Sequence, residues 1–135
     1  MNGEVERQRR RPGQGGLCHS QMFRTTELIT LYRVYSARKR ETRLGGLWTA
    51  DAPRGRREVY RRDYAVCSEW SDLDAVVACV LPAGASVIVG VGQSLTCDDG
   101  EAYPQSGANQ LLVPDAARLF EHARCSDAAF PCTDC

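Results

Sequence analysis

Arg33 sits inside the run Ile29-Thr30-Leu31-Tyr32-Arg33-Val34-Tyr35-Ser36, whose other members, Thr30 and Ser36 apart, are aliphatic or aromatic. Such enrichment in β-branched and aromatic residues belongs to a strand with at least one buried face. A core-facing guanidinium is costly without a partner, so Arg33 calls for a bidentate anion, and a ligand phosphate is one that fits. The alternatives are a solvent-facing place on an edge strand, or an internal Asp or Glu. A second cluster lies near the C-terminus, where His122, Cys125, Cys132 and Cys135 put four soft ligands within fourteen residues. This set admits tetrahedral zinc through the Cys132-x2-Cys135 knuckle, a disulfide from Cys125 to one of the other two cysteines, or free thiols. The only two histidines are His19 and His122, near the ends of the folded region, so a Ser-His-Asp triad is not expected. Gly90-Val91-Gly92-Gln93-Ser94 lacks the lysine of a phosphate-binding loop and opens no helix, so it reads as the end of a hairpin.

The elements that must position these residues follow from hydrophobic period and breakers. Residues 1–16 are rich in Arg, Gln and Gly without apolar periodicity and read as a flexible arm. A folded domain is expected over residues 17–123, with a Cys-rich, irregular tail over 124–135. Met22 to Ser36 reads as a first strand, Ala37 to Arg43 as a charged loop, and Gly45 to Pro53 as a short strand or turn. From Arg54 to Glu69, Val59, Tyr60, Tyr64 and Cys67 recur every three or four residues between arginines, the period of an amphipathic helix. The runs "AVVACVLPAG" and "ASVIVGVGQS" read as two buried strands paired in a hairpin about Pro82-x-Gly84. A loop from Leu95 to Gly107 precedes a strand from Gln110 to Val113, and Pro114-Asp115 opens a short helix offering Ala117, Leu119, Phe120 and Ala123 for packing. The order β, loop, β, α, β, β, loop, β, α predicts an α+β domain with a mostly antiparallel sheet and few short helices.

Composition narrows the class further. The 135 residues amount to one domain, with 43% hydrophobic and 25% charged residues, so a folded core is expected. Seventeen basic and seventeen acidic residues cancel, which argues against binding nucleic acid or membrane through bulk charge. Arginines nevertheless crowd positions 7–11 and 54–62, and acids dominate from Asp98 onward. The longest apolar run, near Ala75 to Leu81, falls far short of the ~20 residues that span a bilayer, and the N-terminus lacks the apolar core of a secretory signal. Seven cysteines are many for an intracellular chain of this length, and an odd number cannot all pair within one molecule.

Taken in order, "LYRV" (31–34), "GGLWTADAP" (45–53), "REVYRRDYAV" (57–66), "VVACVLPAGASVIVG" (76–90) and "SGANQLLVP" (106–114) resemble the ADP-ribosyltransferase fold, the NAD-cleaving toxin and transferase domains with an Arg, Ser/Thr, Glu/Gln signature. The resemblance spans roughly residues 29 to 120 and implies a split, mostly antiparallel sheet. It assigns Arg33 to the NAD phosphates or ribose, Trp48-Thr49 to the nicotinamide half, and Tyr60 or Tyr64 to stacking on nicotinamide. Gln110 falls at the nicotinamide ribose. NAD is the implied substrate and no metal is implied. Cleaving the nicotinamide–ribose bond passes through an oxocarbenium-like state, which needs a phosphate clamp, an aromatic platform and a polar group at the ribose. Arginine-modifying members carry an acid two residues before the catalytic Glu, where this chain has Ala108, and Gln110 looks more like the NAD glycohydrolases of the fold. Hydrolysis of NAD, or transfer to a macromolecular acceptor such as a protein or a nucleic-acid base, both stay open. By analogy the chain is the toxic piece of a secreted or delivered effector acting in a target-cell cytoplasm, with an immunity protein as a further partner and no membrane association. The competing readings are a non-catalytic module that binds through the arginine-rich helix, and a small zinc-binding domain built on the tail.

Overall fold

The computed structural model describes residues 17–92 and 94–131. The chain forms β1 (Leu17–Arg24), β2 (Ile29–Tyr35), a 3-10 turn (Arg40–Thr42), β3 (Leu47–Trp48) and α1 (Arg57–Asp63). There follow β4 (Ala75–Leu81), β5 (Ser86–Gly92), β6 (Leu95–Thr96), β7 (Ala102–Tyr103), β8 (Asn109–Leu112), α2 (Ala116–Leu119) and β9 (Cys125–Ala129). The described residues form three antiparallel sheets, of order β1-β5-β8-β3, β2-β4-β9 and β6-β7. The architecture is α+β, built mostly of antiparallel strands with few short helices. No helix among the described residues is long and apolar enough to cross a membrane.

Alternation explains the core. β4 buries every second residue, and Val77, Cys79 and Leu81 meet Leu31 and Tyr35 of β2 on one side of an apolar cluster. Val87 and Leu111 come to the same cluster from the larger sheet, and Trp48, Ala116 and Phe120 close its end. Each fully buried aliphatic side chain here contributes roughly 1.5–3 kcal/mol.

Three sequence expectations change. The long first strand is two strands in different sheets, because the polar run Thr25-Thr26-Glu27 turns a corner between them. The hairpin of β4 with β5 does not form; β4 lies between β2 and β9, and β5 between β1 and β8. The turn after β4 finds its hydrogen bonds in the β1–β2 corner instead. Thr25 Oγ1 donates to the Pro82 carbonyl at 2.8 Å, the Thr25 N–H to Ala85 O at 2.8 Å, and the Gly84 N–H to Thr25 O at 2.8 Å. Gly84, at φ +83°, supplies the left-handed residue this corner requires. Both connections thus pass from one sheet to the other side by side, and two strands that adjoin in sequence bury their apolar faces on opposite walls of one core.

The tail after Arg124 reads as irregular in sequence, yet it carries β9, paired with β4 from Ala75↔Ala129 to Cys79↔Cys125. Cys125 is disulfide-bonded to Cys79, not to Cys132 or Cys135, which lie outside the described residues, as does the 1–16 arm. That bond removes Cys125 from the ligand set predicted with His122. Arg43 anchors the strand from outside: its Nε and Nη2 donate to Asp127 Oδ2 and Oδ1 at 2.7 and 2.6 Å, holding that carboxyl below the usual carboxylate range.

Candidate functional site

The segment Gly45 to Thr49 joins the two larger sheets. Leu47 and Trp48 pair with Leu112 and Leu111 of β8, and the next residue, Thr49, exchanges both backbone hydrogen bonds with Tyr32 of β2, at 2.9 and 2.8 Å. Beside this junction α1 and the loop from Tyr64 to Asp74 enclose a cavity of about 250 Å³. Arg33, Trp48, Thr49, Tyr60, Tyr64 and Gln110, spread over 78 positions of sequence, all line it.

Arg33 is partly buried, and its guanidinium lies against main-chain carbonyls. Its Nε donates to the Thr42 carbonyl and its Nη1 to the Leu47 carbonyl, both at 2.9 Å. Nη2 donates to no described residue, and no Asp or Glu forms an ion pair with the guanidinium among those residues. Burial draws its pKa below the usual arginine value, but an arginine stays charged in any protein setting. The site therefore holds a positive charge drawn largely out of water, whose Nη2 has no partner among the described residues. Gly45 makes this placement possible: a Cβ there would stand 2.4 Å from Nη2.

Gln110 is the second residue of β8 and is 5% exposed. Its Nε2 donates to the Tyr64 carbonyl at a long 3.4 Å, and its Oε1 accepts nothing from the described residues. Toward the described residues this nearly buried amide keeps unused hydrogen-bonding capacity, which a polar group in the cavity could take up.

The aromatic residues divide in role. Tyr60 is buried between Tyr64, at 4.5 Å between ring centroids, and Phe130, at 5.5 Å. Burial, above all, holds its phenol protonated well above the usual range, while the nearby Arg33 charge acts in the opposite direction. Tyr64 is half-buried, and its phenol is raised first by burial and then by the carboxylates of Asp51 and Asp63. Tyr64 can thus offer a ring to a ligand, and Tyr60 holds that ring in place. Trp48 is 1% exposed, its indole N–H donates to Gly45 O at 2.7 Å, and its ring lies 4.7 Å from Phe120. The structure gives Trp48 a packing role rather than that of an open platform. Thr49 Oγ1 is occupied by the Asp51 carbonyl at 3.0 Å and leans toward Tyr32 O at 3.4 Å, so its hydroxyl is already engaged.

The loop over the cavity is tied down at several points. Arg61 donates to Val66 O and Ser71 O at 3.1 and 3.0 Å, and Arg57 to Leu73 O and Phe130 O at 2.9 and 3.0 Å. These two arginines of α1 are therefore internal braces, which weakens a reading of that helix as a wholly solvent-facing basic surface. Ala65 and Leu73 hold left-handed backbone at φ 51° and 50°, a conformation costing of order 1–3 kcal/mol each that persists only under such bracing. A disulfide between Cys67 and Cys97 pins the loop to the β6–β7 hairpin across 30 residues of sequence. Loop-closure entropy puts its worth at about 3–4 kcal/mol. The double variant Cys67→Ser, Cys97→Ser is expected to melt roughly 10–20 °C lower by calorimetry; an unchanged melting temperature would show that the braces alone hold the loop.

Sequence reasoning did not find Trp70, which lines the cavity while remaining 45% exposed. Its only signal was a tryptophan in the polar run Ser68-Glu69-Trp70-Ser71-Asp72, outside any apolar period. The paired glycines 45 and 46 were the signal for close approach to Arg33, but nothing local named the Thr42 and Leu47 carbonyls as its partners. Among the described residues no group of three or more His, Cys, Asp or Glu is placed to hold a metal ion. Compared with known proteins, the chain matches no protein-family model, no curated protein and no solved structure.

Proposed function

We propose that this chain is an NAD-consuming enzyme of ADP-ribosyltransferase-like fold that cleaves the nicotinamide–ribose bond. The observation that carries the reading is the Arg33 guanidinium, charged and without a carboxylate partner among the described residues, at the wall of a cavity that Gln110 also lines with an amide oxygen accepting nothing from those residues. A cation held in this way, with carbonyls but no counter-charge among the described residues, costs folding energy that an anionic ligand would offset, and a phosphate oxygen suits the remaining Nη2 donor. Arg33 binds the phosphate next to the nicotinamide ribose, Gln110 takes the ribose hydroxyls, and Tyr64 carries the planar nicotinamide. Thr49 and Trp48 support the wall behind it.

Bond cleavage releases nicotinamide with the bonding electron pair, and the ribosyl carbon takes the oxygen of water, or an acceptor's nucleophilic atom, with loss of its proton. The cavity lining contains no carboxylate among the described residues, and Ala108 stands where arginine-modifying relatives of this fold carry an acid. That favours hydrolysis, or transfer to an acceptor needing little activation, such as a nucleic-acid base. Two disulfides suit a protein that folds on an oxidising export route, in keeping with a secreted or delivered effector and an immunity protein that blocks it.

The test is release of free nicotinamide from NAD by the purified chain, followed with and without protein and nucleic-acid acceptors. Label appearing on a macromolecule selects transfer; label appearing only as free ADP-ribose selects hydrolysis. Gly45→Ala gives a pointed control, because its Cβ must push the guanidinium aside while the backbone there suits any residue. Nicotinamide release is expected to fall at least tenfold with the melting temperature kept within a few degrees, since the displaced group is the end of a flexible side chain. Undiminished release by Gly45→Ala would mean that the observed position of Arg33 is irrelevant to turnover.

A further inference from the structure

We infer that Trp70 is the binding residue for the adenine base of the dinucleotide, an inference that rests on the NAD reading above. A dinucleotide is two mononucleotides joined through their phosphates, and a cavity of about 250 Å³ lies just under the ~300–1,000 Å³ of sites that enclose a drug-sized ligand. It can enclose the nicotinamide mononucleotide half and little more. With Arg33 holding the phosphate inside, the adenosine half must emerge at the rim.

Trp70 stands at that rim. Other large apolar side chains with comparable exposure, Phe23, Leu28, Val59 and Leu119, are absent from the cavity lining, whereas Trp70 belongs to it. Its backbone is immobilised: the N–H donates to Cys67 O at 2.9 Å, and Lys39 Nζ donates to the Trp70 and Glu69 carbonyls at 3.1 and 3.0 Å. The neighbouring Cys67–Cys97 bond and the Arg61 brace on Ser71 fix the loop on both sides. A half-exposed indole on a rigid support is a stacking surface for a planar base, and it binds with little ordering cost.

The experiment uses the two tryptophans of the chain, since Trp48 is sealed against Phe120 and Trp70 alone reports the rim. NAD and AMP are expected to quench the solvent-exposed component of the fluorescence, and nicotinamide mononucleotide to leave that component largely unchanged. By calorimetry, Trp70→Ala should weaken NAD binding about 5- to 100-fold while changing the affinity for nicotinamide mononucleotide less than about twofold, and Trp70→Phe should recover most of the loss. Equal loss for both ligands, or no loss for either, overturns the assignment. Quenching by a single-stranded oligonucleotide but not by AMP also overturns it, in favour of an acceptor base. If Trp70→Ala separates the two ligands as expected but no nicotinamide is released, the catalytic reading fails and the adenine site stands. If nicotinamide is released and Trp70→Ala treats both ligands alike, the reverse holds.

Discussion

Arg33→Ala is expected to lower kcat/KM for nicotinamide release by about 100- to 1,000-fold, the loss that follows removal of one preorganised charged donor from a desolvated site. The accompanying change in stability is expected to be small, because two opposing terms meet at this residue. Hydrogen bonds from a charged group to the Thr42 and Leu47 carbonyls are worth about 1.5–3 kcal/mol each, and alanine forfeits both. Against this, the variant no longer desolvates a guanidinium that has no counter-charge among the described residues, which costs several kcal/mol. A residue retained for the fold alone would show the opposite signature, with melting temperature and activity falling together. Arg33→Lys should lie between, since a lysine keeps the charge and loses the fork. Measuring release alongside thermal unfolding for all three proteins decides the matter, and wild-type turnover in the alanine variant would end the role assigned to Arg33.

The second large effect concerns stability. Trp48→Ala is expected to destabilise the chain by about 3–5 kcal/mol, the usual result of emptying a buried aromatic site. Domains of this size have roughly 5–15 kcal/mol in total, so the variant should unfold at markedly lower urea concentration. The cavity would open against Phe120 and would also free Gly45, whose carbonyl accepts the indole N–H. Trp48→Phe keeps most of the packing and loses only that hydrogen bond, so it should fold with a loss near 1 kcal/mol and still release nicotinamide. If Trp48→Ala remained as stable as the parent chain but failed to bind NAD, Trp48 would have to be moved from the core to the ligand.

The strands over 75–81 and 86–92 were legible because alternation and β-branched residues mark a buried strand wherever its partner lies. Their partners were not legible. A Pro-x-Gly turn between two apolar runs fits a hairpin or a sheet-to-sheet corner equally well, and the choice rested with Thr25, 57 residues before Pro82. The same distance effect concealed the Cys79–Cys125 bond, whose halves lie 46 residues apart. It concealed the last strand as well, since Cys125–Ala129 has too little apolar character to declare itself and pairs because β4 offers an open edge.

The sequence by itself determined the α+β class, the apolar strands, the helix bearing Tyr60, and the anomaly of an arginine in a strand, because period and composition act over a few residues. Only the tertiary structure decided that Arg33 rests on two main-chain carbonyls, that Trp48 belongs to the core, and that Trp70 stands at the cavity rim. Those outcomes depend on which segments meet, and that is fixed by the joint burial of two sheets rather than by any local run of residues.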